Sequence, residues 1–234
     1  MGQALTEPQR TYKRLWRKTG SLLKSGRIRP DPHLRDKAGD YRRGITLVAR
    51  PDAVVRRRVG QFLGEVAALY PRQHFYKPVE LHVTVMTIIS GSELWRDEIK
   101  RLPACRRVLQ NVLRDASPFR ICFRGVTASP DAVMIQGFPA DEVLSHLRHD
   151  LREGFGKARL GGLLDRRYRT ITAHLTVMRF SRPAGEWRRL QELLQAHRNT
   201  DFGEACFRSL QLIWGDWYAS TGLVRVLREY PLKD

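Results

Sequence analysis

His82-Val83-Thr84-Val85-Met86 lies inside residues 80–90, E-L-H-V-T-V-M-T-I-I-S, and His174-Leu175-Thr176-Val177-Met178 lies inside residues 171–180, I-T-A-H-L-T-V-M-R-F. Both stretches are rich in β-branched residues and read as strands. Strand side chains alternate between faces, so His82 and Thr84 share one face, as do His174 and Thr176. Val83 and Leu175 then point to the opposite, apolar side. Each strand offers one imidazole and one hydroxyl on a single face.

Outward from these strands the chain repeats itself once. Residues 44–49 read as a strand. Asp52 then opens an amphipathic helix with Val54, Val55, Val59, Phe62, Leu63, Val66, Ala67 and Leu69 recurring at three and four. After the first motif strand, residues 94–114 read as a helix interrupted or kinked near Pro103, and 119–126 as a strand. The second round is a strand at 132–138, a helix at 140–155, the second motif strand, a helix at 185–197 and a strand at 206–214. Residues 223–230 add one more strand. Strand–helix–strand–helix–strand thus occurs twice, as duplication of an α+β unit would produce. Chance does not account well for the motifs: 7 His and 12 Thr in 234 residues give about 0.4 H-x-T matches at random, and here two occur, each followed by Val-Met.

Two H-x-T motifs, one per repeat, resemble the 2H phosphoesterase superfamily, the LigT-like 2′,5′ RNA ligases and cyclic phosphodiesterases. Leu81 before the first His and Arg179 five residues after His174 match frequent family positions. Val85 and Val177 stand where Leu is commoner. The resemblance covers about residues 42–230. It implies an α+β fold of two pseudo-symmetric lobes, with antiparallel sheets around a central cleft and helices outside. The expected boundaries are lobe one at about 41–128 and lobe two at about 129–234. It also implies a metal-independent phosphodiesterase without a cofactor, opening a 2′,3′-cyclic phosphate or related diester on RNA termini or small nucleotides. Reverse RNA ligation belongs to the same chemistry. His82 and His174 would be the acid/base pair, and Thr84 and Thr176 would bind phosphate. The physics agrees: a nucleophile must lose a proton at phosphorus, a leaving ribose oxygen must gain one, and two imidazoles in opposite protonation states do both.

Composition bounds the rest. There are 42 Lys+Arg against 24 Asp+Glu, a net charge of +18, and 34 of the cations are Arg. Such a field draws polyanions, and Arg suits phosphate. No apolar run reaches the roughly 18 residues of a membrane span. Cys105, Cys122 and Cys206 have neither zinc-site spacing nor an even count, so a reducing, cytoplasmic compartment is the expectation. A monomer is expected as well. Residues 1–40 hold ten Lys/Arg and four Asp/Glu. They read as a basic N-terminal extension, dispensable for folding, with a short docked helix or loose arm over 10–24. No secretory signal is expected, and Met1-Gly2-Gln3 fits a myristoylation pattern only as chance often does.

Other candidates compete with blander roles. His74, Phe75 and Tyr76 could meet a base or simply pack. Trp214, Trp217 and Tyr218 could stack a base or line a rim. Arg179 could touch phosphate, although strict alternation from His174 turns it away unless the strand bulges. His146 and His149 have helical metal-ligand spacing without a third ligand nearby. Two rival functions remain at this stage. One is a non-catalytic RNA- or nucleotide-binding protein on the same fold. The other is a zinc hydrolase using His82 and His174 as ligands.

Overall fold

The computed structural model describes residues 4–28, 30–183 and 186–233. The myristoylation pattern and Gly185, the expected start of the last helix, lie outside them. Helix α1 (Glu7–Lys24) starts with a capping box: Thr6 and Gln9 exchange side-chain-to-backbone bonds. Strand β1 (Arg43–Ala49) leads into α2 (Ala53–Leu69), where the Asp52 carboxylate accepts from Val55 N–H at 2.9 Å. A two-residue strand β2 (His74–Phe75) precedes β3 (Val83–Ser92).

The helix expected over 94–114 is interrupted, as one of its two expected forms, with the break just ahead of Pro103. It forms a single turn α3 (Trp95–Glu98), a 3₁₀ turn, and α4 (Leu102–Leu113). Pro103 sits in the first turn of α4, where its missing N–H costs nothing, so it starts a helix rather than kinking one. Then follow β4 (Phe119–Ala128), β5 (Ala132–Pro139), α5 (Val143–Lys157), β6 (Leu175–Arg179) and α6 (Trp187–Ala196). The single strand expected at 206–214 is two strands, β7 (Asp201–Phe207) and β8 (Ser209–Gly215), before β9 (Arg225–Pro231). The chain changes sides there: β7 pairs with β4, and β8 pairs with β1. A continuous β-rich run hides such a crossing, because both pieces share one residue preference.

All pairings are antiparallel, in the order β7-β4-β5-β6-β3-β1-β8-β9, with β2 also on β6. This is the expected α+β architecture, two four-stranded halves of a curled sheet joined at β6 and β3. Strand membership departs from the expected split at 128/129. β4 lies with the second half, and β8 and β9 with the first, so each stretch of chain lends strands to the other.

The extension is not separate from this core. In α1, Tyr12, Thr19, Gly20 and Leu23 are buried. The Tyr12 hydroxyl bridges Gly137 C=O and N–H, both at 3.2 Å, and Thr19 Oγ1 donates to Ala128 C=O at 2.9 Å. Gly20, which interrupts the apolar pattern in the sequence, is buried against α6 beside Gln191. Of the two forms expected over 10–24, the docked helix is present; it begins earlier, at Glu7, and covers part of the core.

Candidate active site

β3 and β6 share one ladder pair, Val83 with Leu175. Extending that antiparallel register by one residue each way sets His82 opposite Thr176 and Thr84 opposite His174. Both histidines lie just before their strands, and both pairs line one cleft together with Tyr76, Thr87, Arg179, Asp216 and Trp217. Val83 and Leu175 are fully buried on the other face.

Each motif contains a bulge at the same place. β1 residues Leu47 and Val48 pair with Met86 and Thr84, leaving Val85 extra; β5 residues Val133 and Met134 pair with Met178 and Thr176, leaving Val177 extra. One extra residue resets the alternation. The side chains three beyond each threonine, Thr87 and Arg179, therefore return to the cleft. This answers why Arg179 reaches a site that strict alternation denies it. Arg179 Nε donates to the Tyr76 hydroxyl at 2.8 Å, and its guanidinium lies 5.5 Å from the Tyr218 ring.

The two imidazoles are held differently. His82 Nδ1 is 2.7 Å from the Glu80 carbonyl, which can only accept, so Nδ1 carries the proton and the neutral ring offers Nε2 as an acceptor. The Glu80 carboxylate in turn accepts from Thr221 N–H and Oγ1–H at 2.6 and 2.7 Å, tying the loop after β8 to this support. His174 Nδ1 is 2.7 Å from the Thr172 hydroxyl, a group that can donate or accept and so permits either neutral tautomer. Burial pushes both rings down to about 4; nearby Arg50 and Arg179 add to this for His82, and Arg148, His82 and Arg179 for His174. Two neutral imidazoles among hydroxyls and the Arg179 guanidinium suit an anion, and the one carboxylate in the lining, Asp216, is occupied by Ser220 N–H and Oγ–H.

The profile of the family described as "2'-5' RNA ligase superfamily" matches residues 51–216, most of the chain. This chain belongs to the 2′-5′ RNA ligase superfamily. Among solved structures it is similar to TT0787 of Thermus thermophilus, with 17% identity over 81% of this chain and 97% of that one, at a TM-score of 0.61. It is similar also to E. coli LigT complexed with ATP, with 12% identity over 82% and 99%, and with 3′-AMP at 13% over the same shares, each at a TM-score of 0.52. A search of curated proteins returned no match. The 2′-5′ RNA ligase superfamily is thus shared together with the 2H phosphoesterase fold, as the paired motifs imply.

Of the lesser candidates in this superfamily member, Tyr76 and Trp217 line the cleft, and Arg167 stacks on Trp217 at 4.1 Å. Tyr76 is buried, and His74 and Phe75, whose backbone pairs with β6, are not among the residues lining the cleft. Trp214 packs against Trp95. His146 is exposed on α5; His149 could share an ion with Asp150 and Glu153 there, but all three are exposed and none lines the cleft. Thr87, Thr172 and the Glu80 carbonyl were not singled out from the sequence. The common offset of three from Thr84 to Thr87 and from Thr176 to Arg179 was the available signal for the first. A backbone carbonyl leaves none.

Proposed function

We propose that this chain is a metal-independent phosphodiesterase that opens 2′,3′-cyclic phosphates, or related cyclic and 2′,5′ diesters, on RNA ends or small nucleotides. The observation that carries this reading is the Val83–Leu175 pair, which faces one imidazole-and-hydroxyl pair with another across a cleft. His82, with Nε2 unprotonated, takes a proton from water as its oxygen attacks phosphorus. The bond from phosphorus to one ribose oxygen breaks, and His174 delivers a proton to that oxygen. Solvent exchange then returns both rings to their starting states. The phosphate's negative charge favours protonation of His174. Thr84, Thr176 and Arg179 supply donors to the non-bridging oxygens, where charge builds. With a ribose hydroxyl in place of water as the nucleophile, the same proton transfers open the cyclic phosphate and join the two ends in a diester, which is the ligating direction. LigT structures holding ATP and 3′-AMP support a nucleotide as the ligand class.

The test is a panel of 2′,3′-cyclic nucleotides and 2′-5′-linked dinucleotides, with and without EDTA. Turnover that EDTA leaves unchanged supports the proposal. Tight nucleotide binding without turnover favours the non-catalytic binding module, and loss of turnover with EDTA favours the zinc hydrolase.

A further inference from the structure

Arg148 sits on the inner face of α5 and is only 4% exposed. Its guanidinium donates to four backbone carbonyls: Nε to Val85 (3.1 Å), Nη1 to Ile171 (2.8 Å), and Nη2 to Thr84 (2.8 Å) and Thr172 (2.9 Å). Two belong to the first histidine motif and two to the approach to the second. No carboxylate is among these partners. Asp165, the acidic group that acts on it, is taken by Arg152 at 2.7 Å. A buried cation without a carboxylate is costly, and burial lowers Arg148 to about 10. A residue needed only to fill space here would be apolar.

The need for such a group follows from the sheet. β3 and β6 touch at one pair and then part, so carbonyls on their facing edges lose the ladder partners that a closed sheet would supply. The bulge at Val85 turns two successive carbonyls, Thr84 and Val85, to that side. In the other half, the bulge carbonyl of Val177 accepts from Tyr76 N–H at 3.0 Å, directly after β2. One half covers its bulge with backbone; the other uses a side chain from α5. Arg152, one turn on, extends the hold by donating to Thr170 C=O at 3.0 Å. Gly137 completes the path: a Cβ there would lie 1.9 Å from Ala173 C=O, so only glycine lets the 170–174 segment pass this close to β5.

We infer that Arg148 is a positioning residue for both motifs, a planar fork that fixes the spacing between the Thr84 arm and the Thr172–His174 arm. It touches no substrate. It acts through Thr84, whose hydroxyl lines the cleft, and through Thr172, whose hydroxyl holds His174 Nδ1. The fork geometry is specific to Arg: Lys has three donors at one point and cannot span four carbonyls on β3 and on the 171–172 segment that leads to β6. This inference rests on His82 and His174 being the working pair.

The test is Arg148→Lys in the full chain, read by histidine side-chain NMR and by turnover of 2′,3′-cyclic AMP. The expected result is a cooperative melt, displaced or broadened ring resonances of His82 and His174, and kcat at least about 30-fold lower with KM changed less than about threefold, the pattern of misplaced reacting groups. Unmoved ring resonances with kcat within about twofold would overturn the assignment. Should Arg148→Lys fail to fold, the unsubstituted protein decides. Its Arg148 Nε–H must exchange slowly with water and be scalar-coupled to the Val85 carbonyl; fast exchange without coupling overturns the clamp. Should the unsubstituted protein not turn over the cyclic nucleotide, the catalytic reading fails, and the ring resonances and Nε–H exchange still decide the role of Arg148.

Discussion

Val83 faces Leu175 across the one ladder pair that joins the two halves of the sheet. Neither residue carries chemistry. Both are fully buried, and their pairing decides which hydroxyl each imidazole meets. A shift of one residue in this register would turn one motif's His and Thr into the core and its apolar partner into the cleft. The apolar residue between His and Thr is thus as much a part of the site's geometry as the polar ones.

The N-terminal helix makes a first prediction. Removing residues 1–28 exposes the surface that Leu23 and Tyr12 cover, and full burial of a leucine alone is worth about 1.5–3 kcal/mol. The shortened chain should show a lowered, broadened thermal transition by calorimetry. Tyr12→Phe, which leaves the Gly137 backbone groups without their hydroxyl, should cost about 1–3 kcal/mol in denaturant titration. An unchanged transition in both would mean that α1 is an ornament on the domain.

Stability should fall with acid in a defined window. Burial lowers His74, His82 and His174 from the ordinary 6.5 to about 4 in the folded chain. Between those values the unfolded chain binds protons that the folded chain refuses, so unfolding becomes easier as pH falls from about 6.5 to about 4. Above 6.5 these three groups contribute no slope. Melting temperature against pH, with His174→Gln flattening part of the slope, tests this. A flat curve from pH 7 to 4 would mean that the rings are not held neutral.

The rate profile has the same origin. The base must be neutral, so its limb rises with pH through its own value. The acid must be protonated, so its limb falls with rising pH. In kcat/KM, which reports the free protein, both limbs should therefore lie below the ordinary imidazole 6.5. A bound phosphodiester anion raises both rings, so the kcat optimum should sit at higher pH than that of kcat/KM. Identical optima near pH 7 would contradict the buried, neutral resting pair.

Much of this was legible in the sequence. The His-x-Thr pairs, their shared face and the α+β repeat follow from residue type and period two. What was hidden was geometry that period two cannot express. The bulges at Val85 and Val177 look like ordinary strand residues, yet they bring Thr87 and Arg179 into the cleft. The break between β7 and β8 falls within a run of uniform strand preference. Arg148 reads as one more cation among 34 arginines, and only the fold shows it buried. Helix α1 was legible as a docked helix or an arm, but not how deeply it packs, because its buried face is built on Tyr12, Thr19 and Gly20 as well as Leu23, instead of a plain aliphatic stripe.

Arg179 allows a sharper test of the bulge. Its fork donates to the Tyr76 hydroxyl and faces the cleft. Arg179→Lys keeps the charge and loses the fork, and a charge-assisted hydrogen bond is worth about 1.5–3 kcal/mol. Steady-state kinetics on a cyclic nucleotide should give kcat/KM about 10–100-fold lower. A change below about twofold would place Arg179 outside the phosphate site.

The central claim is that His82 and His174 work as acid and base on one transition state. Turnover of a 2′,3′-cyclic nucleotide by His82→Ala, His174→Ala and the double variant, in EDTA, tests it most directly. Each single variant should lose about 10²–10⁴-fold with its fold intact, and the double variant should lose less than the product, because both groups serve the same step. Full activity in either single variant, or abolition of wild-type turnover by EDTA, would contradict the two-histidine account.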